Sequence, residues 1–161
     1  KIKYMKFQLS TLDYGKKYNL LALRSNLEDY HLAYFLNTFP DFLFKRMAKD
    51  LHCVINGKNI YFSTFEDNSL DYEKSCYLIS NKSSYKSKFD TNNTLFNSGL
   101  FVNTAFLIPE LSKFDYFLKL NGIWKTSEIK IISKNLNNIR GIDSENQIDL
   151  TKLKSINNLV F

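Results

Sequence analysis

The segment that decides the fold is Phe106-Leu107-Ile108-Pro109-Glu110-Leu111-Ser112-Lys113-Phe114-Asp115-Tyr116-Phe117-Leu118-Lys119-Leu120, in which one proline and a short polar bend join two apolar runs. Residues 117–120 alternate with a period of two, which favours a strand. Pro109 cannot donate a backbone hydrogen bond and therefore belongs at a strand end. The segment predicts a strand, a turn and a second strand, with residues 100–108 pairing with residues 114–120.

Upstream, Tyr18–Arg24 contains a continuous apolar run that is typical of a central strand covered on both faces. Ser25 and Glu28 have the spacing of a capping box and predict a first helix over residues 27–39. Its core-facing stripe is expected to contain Leu32, Phe35, Leu36 and Phe39.

A second amphipathic helix is predicted, with Thr126 as its N-terminal cap and its end at Arg140-Gly141. The dipeptide Asn56-Gly57 predicts a hairpin between two intervening strands. Helices separated by a run of strands predict an α+β domain, with a mainly antiparallel sheet and both helices packed on one face. A ferredoxin-like arrangement with an added hairpin fits the same order.

The 161 residues are expected to form a single domain over residues 1–161. Residues 1–17 are interpreted as an N-terminal arm or edge strand. Residues 83–99, which are rich in serine, lysine and asparagine, are interpreted as a long, partly mobile hairpin loop.

A sequence motif lies in the deciding segment: Ile108-Pro109-Glu110, then three residues, then Phe114-Asp115-Tyr116. It resembles the signature of the IPExxxVDY family, small uncharacterised proteins of Bacteroidetes, except that Phe114 stands where the family has valine. An aromatic ring can replace a β-branched residue on a half-buried strand. Residues 27–37 resemble the first helix of that family. The resemblance extends from about Tyr18 onward, implies a structural role for the motif and brings no activity with it.

The formal net charge of +6 is compatible with nucleic-acid binding, since a cationic surface attracts phosphates. A compositional explanation is favoured, because lysine, asparagine, isoleucine, phenylalanine and tyrosine are the residues that an AT-rich genome encodes. Arginine, the better bidentate phosphate ligand, occurs only at Arg24, Arg46 and Arg140.

Two isolated cysteines, Cys53 and Cys76, form neither a disulfide framework nor a zinc motif and suggest a reducing compartment. The sequence has no apolar run of about 20 residues that would span a membrane, and residues 1–12 lack the features of a secretory signal. We therefore predict a cytoplasmic protein.

The candidates for chemistry are few. Glu110 and Asp115 flank the motif, but catalysis by paired carboxylates requires them to lie close together with separated pKa values, and backbone anchoring is the favoured interpretation. His31 and His52 have no nearby ligand set, and His31 is expected on the exposed helix face. The five glycines are scattered singly, so no phosphate-binding loop exists. We predict no catalytic, metal-binding or cofactor-binding residues.

Tyr30 and Tyr34 lie four residues apart on the first predicted helix, where they are candidates for an interaction surface because tyrosine rings are large and lose little entropy on ordering. A position at the edge of the core is the commoner fate of such tyrosines. The first hypothesis is therefore a non-enzymatic protein-interaction module whose partner is another protein or a second copy of the chain.

The alternative hypothesis is an RNA- or DNA-associated protein. Lys82, Lys86 and Lys88 alternate with Tyr85 and Phe89, so that lysines would contact phosphates while rings stack on bases. A solvated loop would have the same composition.

Overall fold

The computed structural model describes residues 18–69, 73–88 and 100–160, so the predicted arm of residues 1–17 lies outside the described residues. The described part of the chain contains ten β-strands and two α-helices. The strands are β1 Tyr18–Ser25, β2 Lys45–Arg46, β3 Leu51–Ile55, β4 Lys58–Phe62, β5 Thr64–Asp67, β6 Ser75–Ser80, β7 Lys82–Lys88, β8 Leu100–Phe106, β9 Tyr116–Asn121 and β10 Ile142–Gln147, and the helices are α1 Asp29–Leu36 and α2 Thr126–Asn137.

The central sheet has six strands in the order β10-β1-β9-β6-β5-β2, and every neighbouring pair is antiparallel. Along the chain its core elements are β1, α1, β6, β9, α2 and β10, and the four strands among them stand in the order β10-β1-β9-β6. This is the split β-α-β connection of a ferredoxin-like arrangement. The hairpins β3–β4 and β7–β8 are additions to it, and the α+β prediction is confirmed.

Both helices pack on one face of the sheet, as predicted. Their buried side chains share one apolar core with residues of β1, β6 and β9. Within β1, Leu21 and Leu23 face this helix core, whereas Leu20 and Ala22 face the opposite side. Burial on both faces explains why the apolar run of β1 is continuous instead of alternating.

In the part of the chain that the structure describes, the second face is covered by a hairpin, an irregular segment and short 3₁₀ turns. Its core contains residues of β4, the segment 105–114 and Leu159 near the end of the described chain. Two 3₁₀ turns, Leu150–Lys152 and Ile156–Leu159, carry the chain across this face, and we call residues 149–160 the C-terminal strap. The strap is docked on this face through the fully buried Leu159.

The hairpin at Asn56-Gly57 is confirmed, with both residues at positive φ (52° and 74°), as a tight two-residue turn requires. The pairing predicted for the deciding segment is wrong. β8 pairs with β7, while β9 inserts between β1 and β6. A central strand has to hydrogen-bond its backbone groups along both edges, so β9 pairs with two long strands. The bend connects β8 to β9 without pairing them.

The predicted loop of residues 83–99 is also wrong in its first part, because residues 82–88 form β7; residues 89–99 lie outside the described residues. Ser25 does not cap α1: its hydroxyl donates to the carbonyl of Gly141 at 2.7 Å, and α1 begins only at Asp29.

Candidate functional site

The family-like motif forms the bend between β8 and β9. Ile108 and Phe114 are buried in the second core, and Pro109 and Glu110 stand on an exposed 3₁₀ turn, Pro109–Leu111. Tyr116 is buried in the helix core, where its hydroxyl donates to the carbonyl of Leu27 at 2.6 Å.

The bend is held by a side chain that the sequence analysis did not single out, the fully buried Asn81. Its Oδ1 accepts the amide of Ile108 at 2.9 Å, and its Nδ2 donates to the carbonyls of Leu111 and Phe114, both at 3.0 Å. The Asn81 backbone also binds Asp115 and Leu107. One asparagine therefore satisfies the polar groups of an irregular segment that has no ladder of its own.

Asp115 and Glu110 bind different partners. Asp115 accepts the backbone amide of Ser25 at 2.9 Å and forms an ion pair with Lys82. Glu110 accepts the amides of Lys154 and Ser155, both at 2.8 Å, in the C-terminal strap. Hydrogen bonds from backbone amides, its own included, lower the pKa of Glu110. Both carboxylates thus anchor backbone, and besides its own amide Glu110 binds two amides that lie in the strap, outside its own turn.

The two histidines lie on opposite sides of the sheet. His31 is on the exposed side of α1, as predicted, and its ring centroid lies 4.2 Å from that of Tyr30. His52 is exposed on β3, beside Tyr61. In the part of the chain that the structure describes, no group of three or more His, Cys, Asp or Glu is arranged to hold a metal ion.

An aromatic platform covers the outer side of α1. Tyr30 is 57% exposed, Tyr34 65% and Phe35 36%, and Tyr34 contacts Phe35 edge-on at 5.7 Å between centroids. With His31, whose ring is tilted against that of Tyr30, the four rings form two contacting pairs one helical turn apart. We call Tyr30, His31, Tyr34 and Phe35 the α1 platform.

Phe35 was predicted to face the sheet, and this is wrong. The buried stripe of α1 consists of Leu32, Ala33 and Leu36, so its centre is turned toward Ala33 and away from Phe35. A small residue in the stripe is the signal that the sequence analysis missed.

The lysine and tyrosine residues predicted to bind nucleic acid do not share a face. Lys82 and Lys86 are exposed and occupy alternate positions on β7, and Lys88 follows in the same register opposite Leu100. Tyr85 falls on the other face of the strand, where Lys58 Nζ lies 6.0 Å from its ring centroid. Lys82 is moreover paired with Asp115.

A groove of about 240 Å³ opens on the helix-covered side between α2 and residues 41–42. Lys74 lies over the ring of Trp124, 4.6 Å from its centroid, and binds Glu128 at 2.8 Å. Ile131 forms an exposed apolar part of the wall. Lys74 already occupies the ring face, so the groove contains no open cation site over Trp124.

Lys119 is a buried lysine on β9. Its Nζ donates to the carbonyl of Leu159 at 2.7 Å and lies over the rings of Tyr18 (4.9 Å) and Tyr77 (5.8 Å). Burial lowers the pKa of Lys119 to about 8. The sequence contained a signal for the burial of Lys119, because it lies two residues from the buried Phe117 on a strand and therefore on the same face.

The helices in the described part of the chain are all too short or too polar to span a membrane. No protein-family model, no curated protein and no solved structure matches this chain. The resemblance to the IPExxxVDY family therefore stays a prediction.

Proposed function

We propose that this protein is a non-enzymatic module that binds another protein through the α1 platform. The observation that carries the proposal is the exposure of three large rings, Tyr30, Tyr34 and Phe35, on one short helix. The opposite side of that helix is fixed by Leu32 and Leu36, both fully buried. Rigid aromatic anchors of this kind dominate the energetics of protein interfaces.

The size of the platform indicates the type of complex. Fully exposed aromatic side chains present roughly 150 to 250 Å² each, so these three rings offer about 300 Å². A stable interface needs about 800 Å² on each partner. The platform therefore suits a weak, reversible complex with a second protein, and is too small to hold an obligate dimer by itself.

The ion pairs beside the platform support the same function. Arg46 binds Asp29 at 3.2 Å and Asp50 at 2.6 Å, which fixes the first turn of α1 against β2. A helix held in this way presents its rings with little loss of entropy on binding. As part of the proposal we place the protein in the cytoplasm, which the free thiols of Cys53 and Cys76 support.

The proposal is tested by a photo-crosslinking residue placed at Tyr34 in cells, with the same residue at Tyr61 as the matched control. Tyr61 is 56% exposed on β4, on the other side of the sheet. We expect discrete protein adducts from position 34 that disappear when Tyr30→Ala is added, and none of these from position 61. Tyr30→Ala should change the free energy of unfolding by less than about 0.5 kcal/mol.

Adducts that are identical from both positions contradict the proposal. Adducts that are lost on nuclease treatment and weaken steeply with salt identify nucleic acid instead. An adduct only to a second copy of the chain contradicts the choice of partner.

A further inference from the structure

The two edges of the central sheet are unequal. One edge, β2, has two residues, both basic and exposed, and short charged strands of this kind resist pairing with other chains. The other edge, β10, has six residues and contains neither proline nor lysine. Among residues 18–69, 73–88 and 100–160, β10 pairs only with β1, so its outer side faces no strand there.

The register shows which backbone groups point outward. The amide of Ile148 donates to the carbonyl of Leu20 on β1 at 2.9 Å. Because backbone groups alternate in direction along a strand, Asn146 also points toward β1. Glu145 and Gln147 consequently direct their amides and carbonyls away from the sheet.

The usable edge is bounded at its start. The register between β1 and β10 shifts after the pair Arg24 and Ser144, so that the next pair is Ser25 and Ile142. This leaves Asp143 as the extra residue of a bulge. A partner strand would therefore pair from Ser144 toward Ile148.

The charges along this edge favour a basic partner. Residues 143–149 contain Asp143, Glu145 and Asp149 and no basic residue, in a chain of net charge +6. Asp149 is paired with Lys152 at 3.4 Å, and Glu145 also accepts the hydroxyl of Ser133, so Asp143 and Glu145 are the acids that face a partner without a cation of their own. In a pair of two copies, outward residues would face outward residues: a register centred on Glu145 would set two acids opposite each other, and one centred on Asn146 would set Glu145 opposite Gln147, with no cation opposite the acid. Like charges directly opposite each other destabilise a strand pair, whereas lysine or arginine opposite the acids stabilises it.

We propose that β10 is a docking edge for an extended segment of another protein that carries basic residues at alternate positions. The segment adds an antiparallel strand to the sheet, its backbone bonding Glu145 and Gln147 and its cations facing the acids. This site goes beyond the α1 platform and does not depend on it.

The test uses two short synthetic peptides, one of alternating lysine and valine and one of alternating glutamate and valine, titrated into the full chain. We expect the lysine peptide to bind and to slow amide hydrogen exchange at Glu145 and Gln147 by at least about tenfold. The amide of Asn146, which already bonds β1, should change little. The glutamate peptide should not bind.

Variants separate the backbone from the charges. Gln147→Pro removes an outward amide while keeping every acid. It should lower the affinity for the lysine peptide by at least about tenfold and leave the melting temperature of the protein unchanged. Asp143→Lys combined with Glu145→Lys should reverse the preference between the peptides. Glu28→Lys, a charge reversal next to α1, is the matched control and should have no effect, as should Tyr30→Ala.

Three results would overturn the docking edge. The first is equal binding of both peptides, and the second is exchange protection that falls on α1 in place of β10. The third is slow exchange at Glu145 and Gln147 in the protein alone, which would mean that the edge is already covered.

Discussion

On one face of the central sheet the covering elements are two regular helices, whereas on the other they are a hairpin, the Pro109 bend and the C-terminal strap. The helices satisfy their own backbone groups and contribute mainly apolar side chains, such as Leu36 and Leu136. The irregular elements cannot satisfy theirs, and buried or half-buried polar side chains do it for them. Asn81, Lys119 and Asn158 each bind a backbone carbonyl of these elements.

The two faces should therefore be sensitive to substitution at different kinds of position. A helix-covered face should be sensitive at its core leucines and at the backbone positions that turn the chain into and out of its helices. The strap-covered face should be sensitive at single polar side chains, because each one satisfies several buried groups at once. Four substitutions test this contrast.

The largest effect is expected for Gly122→Ala, at the turn between β9 and α2. Gly122 has a φ of +89°, and a Cβ there would lie 2.0 Å from the backbone oxygen of Glu73. A backbone atom cannot move aside as the end of a flexible side chain can. We therefore expect a loss of at least about 3 kcal/mol in the free energy of unfolding, measured by urea denaturation.

The matched control is Gly57→Ala, at the tip of the β3–β4 hairpin. Its φ of +74° is similarly unfavourable, but an added Cβ meets nothing within 4 Å. It should cost only about 1 kcal/mol, which is the conformational part of the effect. Equal losses at the two glycines would show that the close approach to Glu73 does not matter.

The next effect is expected for Asn81→Ala on the strap-covered face. The substitution leaves one amide and two carbonyls of the bend without their side-chain partner. Each unsatisfied buried group costs about 1 to 3 kcal/mol, and relaxation of the bend recovers part of it, so we expect a loss of about 3 kcal/mol. Asn146→Ala, at an exposed position on β10, should cost less than about 0.5 kcal/mol in the same urea experiment.

The elements of the fold differ in how well the sequence predicted them. The continuous run of β1, the periodicity of α2 and the Asn56-Gly57 turn are local patterns, and each predicted its element correctly. The pairing of β8 is not local, because it depends on which strands compete for the edges of β9. Asn81 stands between Ser80 and Lys82 in a string that is typical of any surface turn.

For the candidate site, the sequence offered Tyr30 and Tyr34 as candidates for an interaction surface and predicted His31 on the exposed face of α1, but it wrongly predicted that Phe35 faces the sheet. Tyr30 and Tyr34 are outward because the apolar stripe lies elsewhere, which helical spacing makes visible. The exposure of Phe35 depends on how the helix is rotated on the sheet. Spacing alone determines this rotation only to within one residue.

An intermediate effect is expected for Lys119→Met, and it should depend on pH. The pKa of Lys119 is lowered to about 8 by burial, below the ordinary lysine value of about 10.4 in the unfolded chain. Between these values the unfolded state binds more protons, so the lysine stabilises the fold increasingly as the pH rises. Relative to Lys119→Met, the wild type should gain about 2 kcal/mol from about pH 7 to about pH 10.

The measurement is urea unfolding of both proteins at matched pH values, since every other group titrates in both and cancels in the difference. Lys134→Met, on the exposed side of α2, serves as a control and should give a flat difference. A flat difference for Lys119→Met as well would mean that its ammonium group is not desolvated in the folded protein.

The smallest effect is expected for Glu110→Gln, in which one oxygen acceptor remains but the charge is lost. The Glu110 carboxylate accepts the amides of Lys154 and Ser155, and these bonds, with the one to its own amide, lower its pKa. The carboxylate is exposed, so solvent weakens the bonds and we expect a loss of about 1 kcal/mol at neutral pH. Because the folded pKa lies below the unfolded one, this contribution is complete above about pH 5 and disappears as the pH falls through the folded pKa. The wild type and Glu110→Gln should thus converge in acid, and faster amide exchange in the variant should be confined to residues 149–160. Faster exchange spread over α1 and α2 instead would mean that the strap and the helix-covered face unfold as one unit, which removes the contrast between the two faces.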